Sequence, residues 1–118
     1  MAEEEHLQIE RKLVGRGGVM LLITGVLDAG CFDELEAAMQ EIFDRGGHKL
    51  IIDLERVPYI ASAGIGVLMN AMAETRLHQG DLILVNLTPE VREVFDSLTL
   101  LEVFRIAENH QEAVSMLP

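Results

Sequence analysis

Ser62 stands between two alanines in the run Tyr59-Ile60-Ala61-Ser62-Ala63-Gly64-Ile65-Gly66. The apolar stretch Leu50-Ile51-Ile52-Asp53-Leu54 precedes it and an amphipathic run follows. This order puts the hydroxyl at a loop-to-helix junction near the carboxyl end of a strand. Backbone N–H groups at a helix start are unpaired and favour negative charge. A serine there can serve as an N-cap, or as a hydroxyl on which a phosphate is well tolerated. Other reactive groups offer less. Gly15-Arg16-Gly17-Gly18 lacks the lysine and hydroxyl of a P-loop and lies between two strand-like segments, so it reads as a hairpin turn. Cys31 falls at a helix start, where Asp33 and Glu34 oppose thiolate formation, and reads as inert. His6, His48, His78 and His110 show no metal-ligand spacing, which predicts surface or cap roles and no metal site. No base lies beside Ser62, and no paired-carboxylate or nucleotide motif appears. The chain is therefore expected to be neither an enzyme nor a cofactor carrier.

The elements that must position Ser62 alternate between strand and helix. Leu7, Ile9 and Val14 mark a first strand, and Val19–Thr24 a second that pairs with it as a hairpin. Phe32, Leu35, Met39, Ile42 and Phe43 recur at helical spacing from Cys31 to about Arg45, and Gly46-Gly47 ends that helix. Leu50–Leu54 is a buried strand. Ile65, Leu68, Met69 and Met72 line a second helix ending near Gly80; both methionines are expected in the core, with an adaptable partner surface as the alternative. Leu82–Val85 is the next buried strand. Thr88-Pro89-Glu90 is an N-cap, a proline at the first helical position and a first-turn acid, opening a helix with Val91, Val94, Phe95 and Leu98 inward. Val103–Ile106 is expected to be a short last strand, and Asn109 with Glu112 a capping pair before a final helix. The order ββαβαβα(β)α predicts an α/β fold with a mixed, mostly parallel sheet of four to five strands and about four helices, the first strand antiparallel.

Composition narrows the partners. The 118 residues carry 9 Lys and Arg against 20 Asp and Glu, a net charge of −11. Such a surface repels nucleic acid and anionic membrane and suits partners with basic faces. Cys31 is the sole cysteine, no apolar run approaches a membrane span, and the acidic start is unlike a secretory signal, so a cytoplasmic location is expected.

Four stretches together resemble a STAS domain, the module shared by sulphate transporters and bacterial anti-sigma factor antagonists. They are Ile23-Thr24-Gly25-Val26-Leu27-Asp28, then Leu50–Leu54 with Val57 and Tyr59-Ile60, then Ser62-Ala63-Gly64-Ile65-Gly66-Val67-Leu68, and finally Val91-Arg92-Glu93-Val94-Phe95 with Leu101-Glu102-Val103-Phe104. The resemblance covers nearly the whole chain and implies a single STAS domain over 1–118, with 1–5 a frayed end. It looks like the stand-alone antagonists rather than transporter tails. In that family the loop reads aspartate, serine, serine or threonine, glycine, and the first serine is phosphorylated by a partner that is both anti-sigma factor and ATP-dependent serine kinase. The resemblance places Ser62 at the phosphoacceptor position. Asp28 matches an acidic residue near that site, although a turn role satisfying loop N–H groups fits it equally. Gly64 and Gly66 match the loop and helix-start glycines. Ala61 and Ala63 stand where the family has its aspartate and second hydroxyl.

The resemblance implies an anti-sigma factor antagonist that sequesters an anti-sigma factor/serine kinase until Ser62 is phosphorylated, with a phosphatase as a further candidate partner. Ala61 and Ala63 favour the alternative, a non-phosphorylated STAS scaffold or small-ligand-binding subunit. A receiver domain built on Asp53 is remote, because the acidic pair and the lysine that it needs are missing.

Overall fold

The computed structural model describes residues 7–28 and 30–118. The start over 1–5 and His6 lie outside the described residues. β1 (Gln8–Val14) and β2 (Gly18–Thr24) pair antiparallel across a tight turn in which Gly15 and Gly17 take φ of 55° and 75°, values that favour glycine. Then come α1 (Phe32–Asp44), β3 (Lys49–Arg56), α2 (Ser62–Leu77), β4 (Asp81–Val85), α3 (Pro89–Ser97), β5 (Arg105–Ala107) and α4 (His110–Met116). One five-stranded sheet runs β1-β2-β3-β4-β5, with β2 to β5 parallel. This is the predicted mixed architecture.

Each parallel connection steps one strand in the same direction, so right-handed crossovers place α1, α2 and α3 on one face. Leu21, Ile23, Leu50, Ile52, Leu82 and Leu84 join Leu35, Met39, Leu68 and Phe95 in the larger core. The alternate residues Met20, Ile51, Ile83 and Val85 pack on the other face, with Ala113 of α4. Strands covered on both faces read as continuous apolar runs. Among the described residues no helix is long and apolar enough to cross a membrane.

Local signals set most helix ends. Thr88 Oγ1 accepts the Val91 N–H at 3.3 Å and donates to the Val57 carbonyl at 2.9 Å, so the cap of α3 also ties it to the segment after β3. Asn109 Oδ1 accepts the Glu112 N–H at 2.8 Å, while Glu112 Oε1 reaches back to the Glu108 N–H, one residue earlier than a reciprocal box requires. The last strand starts at Arg105, not Val103, because Leu100–Glu102 closes a 3-10 turn whose Leu100 carbonyl accepts the N–H groups of Val103 and Phe104. Phe104 is then buried edge-on to Phe95, ring centroids 5.4 Å apart. On the outside, Arg11 bonds Glu41 at 2.8 Å and its guanidinium holds that carboxyl below its ordinary range, but so exposed a pair adds little stability.

The far end of α2 leaves no latitude. Gln79 takes φ 63°, and the Gly80 N–H bonds the Thr75 carbonyl at 2.7 Å. A Cβ on Gly80 would lie 1.7 Å from the His48 carbonyl oxygen. Gly80→Ala should therefore cost about 3 kcal/mol or more. Denaturant midpoints check this, and a variant as stable as the wild type would contradict it.

Candidate functional site

Leu27, in the loop after β2, crosses the start of α2. Its N–H donates to the Tyr59 carbonyl at 3.1 Å and its carbonyl accepts the Ala61 N–H at 2.8 Å. Leu27 and Ile60 form an isolated parallel bridge and are both buried. Two loops are thereby stitched together one residue before Asp28 and one residue before Ser62. The stitch rests on helix backbone: a Cβ on Gly64 would meet Leu27 O at 2.9 Å, and Leu27 Cβ and Ile60 Cγ1 at 3.0 Å. Gly64 is buried for that reason. Gly66, two residues on, has nothing within 4 Å of its Cβ direction, so packing does not require a glycine there.

Ser62 is the first residue of α2, and the N-cap position belongs to Ala61, with φ −98° and ψ 170° and no side-chain cap bond. The capping reading of Ser62 thus fails. Its side chain is exposed and makes no hydrogen bond among the described residues. The N–H groups of Ser62, Ala63 and Gly64 likewise have no acceptor among them, the first helical bond being Ile65 N–H to Ala61 O at 3.1 Å. An uncapped helix start with three free donors beside a free hydroxyl can accommodate an anion. Ala63 is half-buried in this first turn.

Asp28 is half-buried, and its Oδ1 accepts the Gly30 N–H at 2.9 Å while its carbonyl receives the N–H groups of Cys31 and Phe32. The turn role is realised, at the start of α1. Cys31 is buried at that N-cap position.

The exposed side of α2 differs from expectation. From Ser62 to Ala73 the helix has no charged residue, in a chain of net charge −11. Met69 is 40 % exposed while Met72 is buried; the core assignment is corrected for Met69, which lies one helical face away. Ser62, Gly66, Met69, Ala73 and Leu77 recur at spacings of three and four along that face. Tyr59, on the adjoining loop, is 52 % exposed. As far as Ala73 the exposed side of α2 is thus uncharged, with Asn70 and Ser62 its polar members.

Asp53 is occupied structurally. Its buried carboxylate accepts the Glu55 N–H at 2.8 Å, Asn86 Nδ2 at 3.3 Å and His110 Nε2. It joins β3 to Asn86, at φ 60°, and to the first turn of α4. These partners lie 33 and 57 residues away, beyond any spacing argument.

The two glycines make opposite predictions. Gly64→Ala should destabilise by about 1–3 kcal/mol by displacing Leu27. Gly66→Ala should stabilise by about 0.5–1 kcal/mol through helix propensity. Denaturant midpoints of both variants test the asymmetry, and a gain at Gly64 would refute the close approach.

Comparison with known proteins identifies the family and the fold. The chain matches the STAS domain family over residues 10–113. It is 33 % identical over 99 residues to BtrV of Bordetella bronchiseptica, named as an anti-sigma factor antagonist, covering 84 % of this chain and 85 % of that one. It is 31 % identical over 91 residues to the anti-sigma F factor antagonist of Lysinibacillus sphaericus, covering 76 % of each. The structure of the Bacillus cell fate determinant SpoIIAA in its phosphorylated form aligns with a TM-score of 0.71 at 26 % identity, over 92 % of this chain and 97 % of that one. A Thermotoga maritima structure shares the fold with a TM-score of 0.79 at 22 % identity, over 91 % of this chain and 92 % of that one. A family match from the first strand to the last helix, with relatives above 30 % identity over most of both chains, leads to one conclusion: the chain belongs to the STAS domain family, among the anti-sigma factor antagonists.

Proposed function

We propose that this protein is a binding switch, in which the surface around Ser62 sequesters an anti-sigma factor that is also a serine kinase, and phosphorylation of Ser62 releases it. The observation that carries this reading is an exposed hydroxyl, without a hydrogen bond among the described residues, on an uncapped helix start beside the charge-free side of α2. Phosphorylation adds about −1.5 to −2 charges. The three free N–H groups and the helix dipole offset part of that charge within the protein. A partner seated on Tyr59, Gly66 and Met69 offers no such compensation and has to desolvate a dianion. A loss of about 3 kcal/mol, near a hundredfold in affinity, makes a working switch without refolding. Asp28 borders the contact while keeping its turn bond, and Gly64 holds the loops in register. A phosphatase is the natural counter-enzyme, and the cytoplasm the natural setting. Residues 1–118 act in this reading as one STAS domain.

Ala61 and Ala63 favour a second reading, a scaffold or small-ligand-binding subunit whose loop is not phosphorylated. If the missing carboxylate only blunts the switch, Ala61→Asp should raise the phosphorylation rate.

Incubation with a candidate anti-sigma kinase and ATP, followed by peptide mapping, should find phosphate on Ser62. Phosphate on Thr24, Thr88 or Ser97 with Ser62 unmodified would overturn the assignment. By calorimetry, Ser62→Ala should bind the partner as the wild type does, and Ser62→Asp at least about tenfold more weakly. Because the exposed hydroxyl has no hydrogen-bond partner among the described residues, Ser62→Ala should change stability by less than about 0.5 kcal/mol. Equal partner affinity in wild type, Ser62→Ala and Ser62→Asp would leave the scaffold reading standing instead.

A further inference from the structure

Two histidines that are 30 positions apart in sequence meet at the other end of α2. Phe43 from α1, His48 just before β3 and His78 at the end of α2 stack in series, with ring centroids 5.5 and 4.0 Å apart and interplanar angles of 5° and 13°. Glu74, one turn before His78, brings Oε2 to 3.8 Å from His48 Nε2 and 3.4 Å from His78 Nδ1. One ligand atom from each of the three lies within 4.8 Å of the others.

Ligands of a tetrahedral zinc-type ion, each at about 2.05 Å, stand about 3.3 Å apart. The Glu74 edges are already near that value. His48 is the fixed member: its side chain is 14 % exposed, and its carbonyl receives the Asp81 N–H at 3.1 Å. Glu74 and His78 share one helix face at an i,i+4 spacing, as helical ligand pairs do. Their side chains are 39 % and 47 % exposed, which leaves room for water as a fourth ligand. His78 Nδ1 also faces the Glu74 carbonyl at 3.1 Å. Binding an ion would exchange that contact and the parallel stacking for metal bonds, by rotation of the more exposed ring.

We propose that His48, Glu74 and His78 bind one borderline divalent transition-metal ion, with Zn²⁺ the best fit to two imidazoles, one carboxylate and an open position. The site is independent of the Ser62 switch: α2 has 16 residues, so its two ends are about 24 Å apart. A bound ion would clamp the start of β3 to the end of α2.

The test uses full-length protein without a histidine tag. Calorimetric titration with zinc chloride should show one ion per chain through this site, and cobalt chloride should give visible absorption of four-coordinate intensity. His48→Ala, Glu74→Gln and His78→Ala should each weaken zinc binding by at least about tenfold, as loss of one of three ligands requires. Zinc should raise the thermal midpoint of the wild type but not of the variants. Far-UV circular dichroism checks folding, and His78→Ala, on a half-exposed ring, carries the test if His48→Ala fails to fold. Absence of zinc binding by the wild type, or equal binding by wild type and His78→Ala, would overturn the proposal.

Discussion

The two hydrogen bonds that Leu27 makes across to Tyr59 and Ala61 govern the geometry at the carboxyl end of this sheet. They join the loop after β2 to the segment entering α2, and the joined backbone lies on Gly64 with no room for a methyl group. The stitch satisfies the Ala61 N–H but leaves the next three donors unused. A serine or aspartate at position 61 would have capped the helix; alanine does not. The helix therefore presents bare N–H groups and the Ser62 hydroxyl to solvent from a rigid platform.

That rigidity decides how a modification could act. Strand β4 is buried along its whole length and β3 from Leu50 to Leu54, so the sheet beneath this helix start moves little. A phosphate at a fixed, donor-rich helix start changes charge at one place and asks nothing of the core. The exposed side running from it along α2 is uncharged through Ala73, with Gly66, Met69 and Ala73 apolar and Asn70 polar. A net charge of −11 elsewhere makes that uncharged strip stand out as the place where another protein can approach without repulsion. The proposed switch needs only these two neighbours, a docking face and a chargeable edge.

Much of this was legible in the sequence because it is local. Apolar runs at Leu50–Leu54 and Leu82–Val85 gave buried strands, and Thr88-Pro89 gave a helix start that the Thr88 side chain does cap. The apolar pattern starts the last strand at Val103, two residues before Arg105, because the 3-10 turn at Leu100–Glu102 has no periodicity to announce it. Met69 was assigned to the core because hydrophobicity does not distinguish an inner from an outer helix face when both are apolar. The position of Ser62 at a helix start was readable, but not that Ala61 would take the cap position, since helix ends are uncertain by a residue or two. The Asp53, Asn86 and His110 junction and the His48, Glu74 and His78 cluster were invisible. Each forms only when the sheet brings distant segments together.

In the proposed switch, charge at Ser62 is absorbed where it arises. Amide chemical shifts of the protein with phosphoserine incorporated at position 62 during translation, set against those of the unmodified protein, test it most directly. Large shifts should be confined to Leu27–Phe32 and Tyr59–Gly66, with the amides of β3, β4 and α3 unmoved. Shifts spreading through the sheet, or loss of the resonances of α2, would show that phosphate remodels the domain and would contradict it.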